Sequence, residues 1–204
     1  MISERIGNLV RARLLVIGQR LADLGFTPNL LTVIGVILNF GVAAVIALGY
    51  PEVGGALLLI ASAFDMLDGA VARATGLTSR FGGFLDSTLD RYSEALVFGG
   101  VLIYLLDTND AETGAILTFI ATVGALLISY ARARAEAAGY KASVGLLARP
   151  ERIILLAVCL IIGQPLWALW ILAVATHITA LTRIVHVWRA SLAETTPDPA
   201  GPAV

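Results

Sequence analysis

Long apolar runs separated by short polar connections limit what this chain can fold into. Of its 204 residues, 58% are apolar and 14% are charged, whereas an ordinary soluble domain is about 45–50% apolar. A helix that crosses a bilayer needs about 20 apolar residues. The sequence therefore predicts an all-α integral membrane protein with six transmembrane helices. They are predicted at about residues 29–49, 54–74 and 83–106, from 115 into a basic extension at 130, at 149–162, and from 165 to 187.

The two ends of the chain are of a different kind. In residues 1–25 apolar residues recur at helical spacing between four arginines, which predicts an amphipathic helix lying at the membrane surface. The alternative is a helix that packs on the protein's own loops. Thr27 and Pro28 are predicted as N-cap and first residue of the next helix. Residues 26–190 form the predicted transmembrane domain, and the proline-rich segment 191–204 is predicted to be disordered.

The basic residues predict the orientation. All 14 lysines and arginines lie in the N-terminal helix, in the second and fourth connections with their flanks, or near the C-terminus. The connections at Pro51, Asp107 and Gln164 have none. By the positive-inside rule, both termini and the second connection face the cytoplasm. Membrane lipids are therefore expected partners, and nucleic acid is not.

Four aspartates flank that second connection. Asp65 and Asp68 share one helical face, as do Asp86 and Asp90, because residues three or four apart are neighbours on a helix. Four converging carboxylates repel one another unless a cation binds them. Oxygen ligands without a nearby His or Cys favour Mg²⁺ or Mn²⁺. A pair of such ions at headgroup depth can clamp a lipid-linked diphosphate, with Arg73 and Arg80 as further phosphate partners. The alternative is a structural network of ion pairs.

The aspartates belong to a longer pattern, Asp65-x2-Asp68-Gly69-x2-Ala72-Arg73-x8-Gly82-x3-Asp86-x3-Asp90. It resembles the signature of the CDP-alcohol phosphotransferase family at all eight fixed positions. The resemblance implies six membrane helices, a homodimer, and transfer of a phosphatidyl group from CDP-diacylglycerol to an alcohol with release of CMP. It also implies that Asp65, Asp68, Asp86 and Asp90 bind two Mg²⁺ ions and that Asp90 is the general base.

The resemblance also extends to substrate contacts. The residues that match CDP-lipid contacts of the family are Asn29, Leu30, Leu31, Thr32, Gly69, Arg73 and Ser79. Several arginines near the ends of the last three spans favour an acceptor that carries a phosphate. The segments SYARARAEA and RPER resemble the phosphatidylinositol phosphate synthase branch, which uses inositol 1-phosphate. This implies that the acceptor phosphate is bound by Arg132, Arg134, Arg152 and Arg183.

Three alternatives stay open. The same chemistry with glycerol 3-phosphate would give phosphatidylglycerol phosphate, and an archaeal-type CDP-lipid would be a different donor. A carboxylate-based cation transporter is a rival of another class, but it would require charges at the bilayer midplane and repeated broken helices. The family resemblance implies a prokaryotic cell membrane enzyme with its active site facing the cytoplasm.

Overall fold

A computed structural model describes residues 2–195, with side chains from 13 to 193, and this part of the chain is all helical. Seven helices follow one another: α1 (Ile2–Asp23), α2 (Pro28–Ala47), α3 (Pro51–Thr75), α4 (Arg80–Leu106), α5 (Ala111–Ala137), α6 (Arg149–Ile161) and α7 (Pro165–Thr195). Each of the seven predicted helices is present, with ends shifted by a few residues. The helical residues 191–195 are not part of a disordered tail, and residues 196–204 lie outside the described range.

Helix ends near the predicted site are fixed by local capping. Thr27 is the N-cap of α2, as predicted, and its side chain accepts a hydrogen bond from the backbone N–H of Leu30. Ser79 caps α4 in the same way by accepting from the N–H of Gly82. Between these helices, α3 ends at Gly76, whose φ of 71° is left-handed and favours glycine. The short 76–79 connection thereby places the ends of α3 and α4 beside the start of α2.

Four of the described helices, α2, α3, α5 and α7, are long and apolar enough to cross a membrane. α4 has sufficient length, but its first fifteen residues include Asp86, Asp90, Arg91 and Glu94. α6 has only 13 residues, which is shorter than the about 20 that a span requires. The prediction of an all-helical membrane protein is thus confirmed.

The packing leaves a gap between α3 and α4. Both helices pack along α2, while in the described part of the chain they have hardly any direct backbone contact with each other. Small residues allow the close approaches, since a Cβ on Gly100 of α4 would meet the backbone of Ala43 in α2. α1 crosses α3 closely, and a Cβ on Gly18 would lie 2.6 Å from the carbonyl carbon of Ala70. The gap between α3 and α4 is where the aspartates lie.

The apolar core is shared by the six helices from α2 to α7. It is formed by residues such as Ile46, Leu58, Val101, Leu160 and Leu169, all at most 2% exposed. The outer surface of the bundle is also apolar, with Phe40, Ile60 and Phe119 more than 60% exposed. A soluble monomer rarely shows so much exposed apolar surface, so this exterior fits a hydrocarbon environment.

Candidate active site

The four predicted aspartates converge. Asp65 and Asp68 extend from α3, and Asp86 and Asp90 from α4. Asp86 lies within electrostatic range of both Asp68 and Asp90, and Asp65 within range of Asp68 and Asp86. All four side chains are partly buried. The structure therefore brings together both pairs at the gap between the helices, as the spacing predicted.

Asp68 is held from two sides. The Thr32 hydroxyl donates a hydrogen bond of 2.8 Å to Asp68 Oδ2, and the backbone N–H of Gly69 donates to Asp68 Oδ1. Thr32 lies in the first turns of α2, so this bond links the start of α2 to the aspartate cluster. It fixes the direction of the Asp68 carboxylate.

Arg149 lies between the other carboxylates. Its Nη2 is 3.0 Å from Asp65 Oδ2, and its Nη1 is 2.7 Å from Asp90 Oδ1. Arg149 is the first residue of α6, so its side chain joins three helices in one contact. Asp90 is also 3.4 Å from Nη2 of Arg91. The sequence predicts Arg149 only as a member of a basic pocket facing the metals, together with Arg132, Arg134, Arg152 and Arg183, and does not predict its ion pairs with two of the aspartates.

Two cavities open on either side of the cluster. The first cavity, of about 250 Å³, is lined by Asp68 and Asp86 and by residues from the starts of α2 and α4 and the end of α3. Five of the seven predicted CDP-lipid contacts line it: Asn29, Thr32, Gly69, Arg73 and Ser79. The other two do not, since Leu31 is 2% exposed in the core and the Leu30 side chain is 45% exposed on the helix surface.

Gly69 and Arg73 share one wall of the first cavity. A Cβ on Gly69 would lie 3.1 Å from Nη1 of Arg73, which is tighter than an ordinary van der Waals contact. Glycine at this position therefore leaves the Arg73 guanidinium free to lie over the helix and face the cavity. This explains why the two residue types occur together at this spacing.

The second cavity, of about 540 Å³, is enclosed by α4, α5, α6 and α7. Its lining contains five arginines: Arg91, Arg132, Arg149, Arg152 and Arg183. Its acidic residues are Asp86, Asp90 and Glu136. Gly83 and Asp86 line both cavities. The aspartate cluster thus separates a mixed cavity from a strongly basic one.

Three of the four predicted acceptor residues, Arg132, Arg152 and Arg183, line the second cavity. Arg134 lies elsewhere. It lines a groove between α5 and α7 with Tyr130 and His177. The alternation of Arg132 and Arg134 explains this difference, because residues two apart on a helix point to different sides.

Arg152 is fixed by a buried carboxylate. Its Nε and Nη2 donate to Glu94 Oε1 and Oε2 at 2.8 and 2.9 Å, and its Nη1 donates to the Leu147 carbonyl. Arg152 is 2% exposed and the Glu94 side chain 8%. Glu94 was not predicted as a site residue. A signal was present, since Glu94 follows Asp90 by one helical turn and stands directly before a long apolar run.

Arg183 is fixed by backbone instead. It donates to the carbonyls of Val144, from the connection before α6, and Ile128, from α5. Arg132 is the exposed member of the set and pairs with Glu136 at 2.8 Å. The basic wall is therefore rigid at Arg152 and Arg183 and adaptable at Arg132.

The donor set fits hard divalent ions. The cluster offers carboxylate oxygens, and neither His nor Cys lines either cavity, which suits Mg²⁺ or Mn²⁺. In the described residues no group of three His, Cys, Asp or Glu side chains is already arranged around one point for a metal. Two of the four carboxylates, Asp65 and Asp90, are instead paired with the Arg149 guanidinium.

Comparison with known proteins gives consistent results. The family model for CDP-alcohol phosphatidyltransferase matches residues 26–190. The chain is 37% identical to archaetidylinositol phosphate synthase of Pyrococcus horikoshii, over 89% of this chain and 94% of that protein. It is 40% identical to phosphatidylinositol phosphate synthase of Mycobacteroides abscessus, over 82% and 79% of the two chains.

Solved structures agree. The fold is similar to that of Mycobacterium tuberculosis phosphatidylinositol phosphate synthase with CDP-DAG bound, with a TM-score of 0.81, 32% identity, and coverage of 94% of this chain and 98% of that one. A second structure of that enzyme, in complex with manganese and citrate, has the same TM-score and identity and is covered to 93%.

Proposed function

We infer the reaction of this protein from its family: the chain belongs to the CDP-alcohol phosphatidyltransferases and is an enzyme of phospholipid biosynthesis. It transfers the phosphatidyl group of CDP-diacylglycerol to inositol 1-phosphate, giving phosphatidylinositol phosphate and CMP. The observation that carries this assignment is the pair of cavities that meet at Asp86, one lined by the family's signature residues and the other by five arginines.

The first cavity is the proposed donor site. Asn29, Thr32, Gly69, Arg73 and Ser79 line it, and Arg73 offers a guanidinium for a diphosphate oxygen. It opens beside the ends of membrane helices, so the acyl chains can stay in the bilayer while the nucleotide enters from the headgroup layer. Leu30 and Leu31 then support the turn and do not bind nucleotide.

The second cavity is the proposed acceptor site. A phosphate monoester carries nearly two negative charges at neutral pH, and arginine forks match its oxygens in geometry. Arg132, Arg152 and Arg183 supply these forks. A neutral alcohol would gain nothing from such a wall, whose cations outnumber its carboxylates. The acceptor is therefore a phosphorylated alcohol.

Asp65, Asp68, Asp86 and Asp90 are the residues that would hold a pair of Mg²⁺ or Mn²⁺ ions. When bound, such ions stabilise negative charge on the diphosphate and on the CMP leaving group. Asp68 is kept in place by Thr32 and by the N–H of Gly69, which leaves its orientation independent of the substrate.

Asp90 is the proposed general base. It lines the second cavity, one helical turn from the shared residue Asp86, so it faces the acceptor and not the nucleotide. The acceptor hydroxyl forms a new oxygen–phosphorus bond to the phosphatidyl phosphorus, its proton passes to Asp90, and the bond from that phosphorus to the CMP oxygen breaks. In this proposal the attacking hydroxyl approaches from the second cavity and CMP leaves into the first, on opposite sides of the phosphorus.

The test is an acceptor assay. Purified protein in detergent is incubated with Mg²⁺, CDP-diacylglycerol and one of inositol 1-phosphate, glycerol 3-phosphate or unphosphorylated inositol, and CMP and lipid products are quantified. We expect turnover with inositol 1-phosphate and none with inositol. Turnover of glycerol 3-phosphate alone would overturn the acceptor assignment, and the absence of metal-dependent CMP release with every acceptor would leave the cation transporter as the better hypothesis.

A second donor is supported by the name that two relatives share, the proteins of Pyrococcus horikoshii and Methanothermobacter thermautotrophicus. The Pyrococcus horikoshii protein is an archaetidylinositol phosphate synthase, whose name points to the same headgroup on a different lipid. The headgroup side of the donor cavity does not discriminate the two lipids. Competition between ester-linked and archaeal-type CDP-lipids in the same assay would identify the preferred donor.

We also propose that α4 and α6 cross the membrane, which gives six spans with both termini and the active site in the cytoplasm of a prokaryotic cell. α6 is about 20 Å long by its rise per residue, which is shorter than a full span. It starts at the level of the second cavity, which Ala148 and Arg149 line, so it has less than the whole membrane left to cross. Non-helical backbone is tolerated at that depth where it lines a polar cavity.

Single cysteines placed at Asn109 and at Ala190 in a Cys159→Ser protein should be labelled from opposite sides of the membrane. Labelling from one side would contradict this topology.

The remaining proposals concern the N-terminal helix and assembly. α1 packs along α3 and carries arginines between its apolar residues, which supports a position at the headgroup layer. The family resemblance supports a homodimer. Native mass spectrometry from detergent would test it, and a monomer at all protein concentrations would contradict it.

A further inference from the structure

Arg149 lies where the aspartate cluster and the second cavity meet. Its guanidinium bridges Asp65 and Asp90 at 3.0 and 2.7 Å, and these are two of the four carboxylates proposed to hold divalent ions. The Arg149 side chain is 21% exposed and lines the acceptor cavity. One cation therefore contacts both halves of the metal-binding set and the wall of the acceptor site.

The contacts of Arg149 differ from those of Arg152, one turn later on α6. Arg152 uses Nε, Nη1 and Nη2, and it is 2% exposed. Arg149 is held through Nη1 and Nη2 by the two aspartates, and its Nε is buried without a hydrogen-bond partner. Loss of the aspartates would thus release Arg149, whereas Arg152 would stay in place.

The charges at the aspartate cluster favour a divalent metal ion over the Arg149 guanidinium. Arg149 and Arg91 bring two positive charges to four carboxylates, which leaves the cluster negative. A divalent ion at the same carboxylates would neutralise more charge than Arg149 does and would repel Arg149 at short range. Arg149 also lies at the N-terminus of α6, where the helix dipole disfavours a cation and favours an anion. Once released, the guanidinium is stabilised by a phosphate in the adjacent cavity.

We propose that Arg149 is an internal counter-cation that divalent metal displaces from Asp65 and Asp90, and that its release towards the acceptor cavity makes metal binding and acceptor-phosphate binding mutually favourable. This inference rests on the proposed function, since it takes the aspartates as metal ligands. It assigns Arg149 a role in ordering the site: acceptor binds tightly only after the metal has entered. Because binding coupling is reciprocal, phosphate in the acceptor cavity must tighten metal binding by the same factor.

The first measurement is Mn²⁺ binding, followed by electron paramagnetic resonance of metal-free protein in detergent. Arg149→Gln removes the competing cation, so we expect its Mn²⁺ affinity to rise about tenfold, equivalent to one charge-assisted hydrogen bond. Arg149→Lys keeps the charge but cannot bridge both carboxylates with one fork, and an intermediate affinity is expected. Arg189→Gln, an exposed arginine on α7 that lines neither cavity, is the matched control for loss of positive charge, and its Mn²⁺ affinity should equal that of the wild type.

The second measurement is the coupling. Inorganic phosphate is titrated with and without Mn²⁺ into the same proteins by calorimetry. We expect Mn²⁺ to tighten phosphate binding in the wild type and in Arg189→Gln, with a clearly smaller gain in Arg149→Gln, where only direct attraction between metal and phosphate remains.

The outcomes are distinguishable. Unchanged or weaker Mn²⁺ binding by both Arg149 variants, or an equal coupling in Arg149→Gln and wild type, would overturn the role of Arg149 and leave the metal site intact. If Asp65→Asn binds Mn²⁺ as tightly as the wild type does, the proposed metal site itself is overturned instead. If Arg149→Gln does not fold, as judged by gel filtration, the Arg149→Lys comparison carries the same test.

Discussion

The two cavities that meet at Asp86 are built in opposite ways. The first is lined only by residues between Pro28 and Asp86, most of them within one sequence signature. The second is assembled from four helices, with lining residues that extend from Gly83 to Arg183. A donor site that is local in sequence is joined to an acceptor site that only the tertiary structure assembles. One enzyme fold can thus keep its donor chemistry while the walls of its acceptor site vary.

The junction between the cavities carries the largest expected effect. Asp90→Asn keeps the size of the side chain but removes the proposed base, so we expect kcat to fall by about 10²- to 10⁴-fold. CMP release measures the change. Asp107→Asn, at the exposed far end of α4, is the control and should keep wild-type turnover. If the kcat of Asp90→Asn stays within a factor of ten of the wild-type value, Asp90 is not the general base.

The next effect concerns the rigid part of the second cavity. Glu94→Gln removes the charge that holds Arg152, and we expect the KM for inositol 1-phosphate to rise about 10- to 100-fold through loss of a charged hydrogen-bond pair. The KM for CDP-diacylglycerol should change little. Glu94→Asp, which retains the charge, should recover part of the loss, and Glu112→Gln, an exposed acid at the start of α5, should change neither KM. Equal changes in both KM values would show that Glu94 supports the fold and does not position Arg152.

A pair of substitutions compares the two cavities directly. Arg73→Gln should raise the KM for CDP-diacylglycerol, and Arg132→Gln the KM for inositol 1-phosphate, each about tenfold, because each removes one charged hydrogen bond to a phosphate. Steady-state kinetics with one substrate varied at a time gives both values. Arg189→Gln, an exposed arginine on α7 away from both cavities, controls for loss of positive charge. If either substitution changes both KM values equally, the two cavities do not serve separate substrates.

The smallest effect is expected at Arg134. It lies in the α5–α7 groove outside the second cavity, so Arg134→Gln should change the KM for inositol 1-phosphate by less than about a factor of two, within the scatter of surface substitutions. The same kinetics measure it. An increase as large as that for Arg132→Gln would place Arg134 on the acceptor and contradict the division of the two arginines.

The sequence by itself determined the class of the protein and the centre of its site. Apolar run lengths predicted the six helices from α2 to α7 in the right order, because a bilayer permits few other ways to satisfy the backbone, and helical periodicity between arginines predicted α1. The signature from Asp65 to Asp90 predicted the family, and the comparisons confirmed it. Spacings of three and four residues were sufficient to place each aspartate pair on one face of its helix, since helical geometry is local and regular.

Only the tertiary structure decided how distant segments complete the site. The ion pairs of Arg149 with the aspartates and the contact of Glu94 with Arg152 were not predicted, and Arg134 was grouped with Arg132, because the direction of each side chain depends on how α5, α6 and α7 pack around α4. The periodicity of apolar residues within one helix does not indicate which neighbouring helix each of its faces contacts. Helix periodicity is set by hydrogen bonds within a few residues, whereas the acceptor wall is set by contacts between residues as far apart as Glu94 and Arg152.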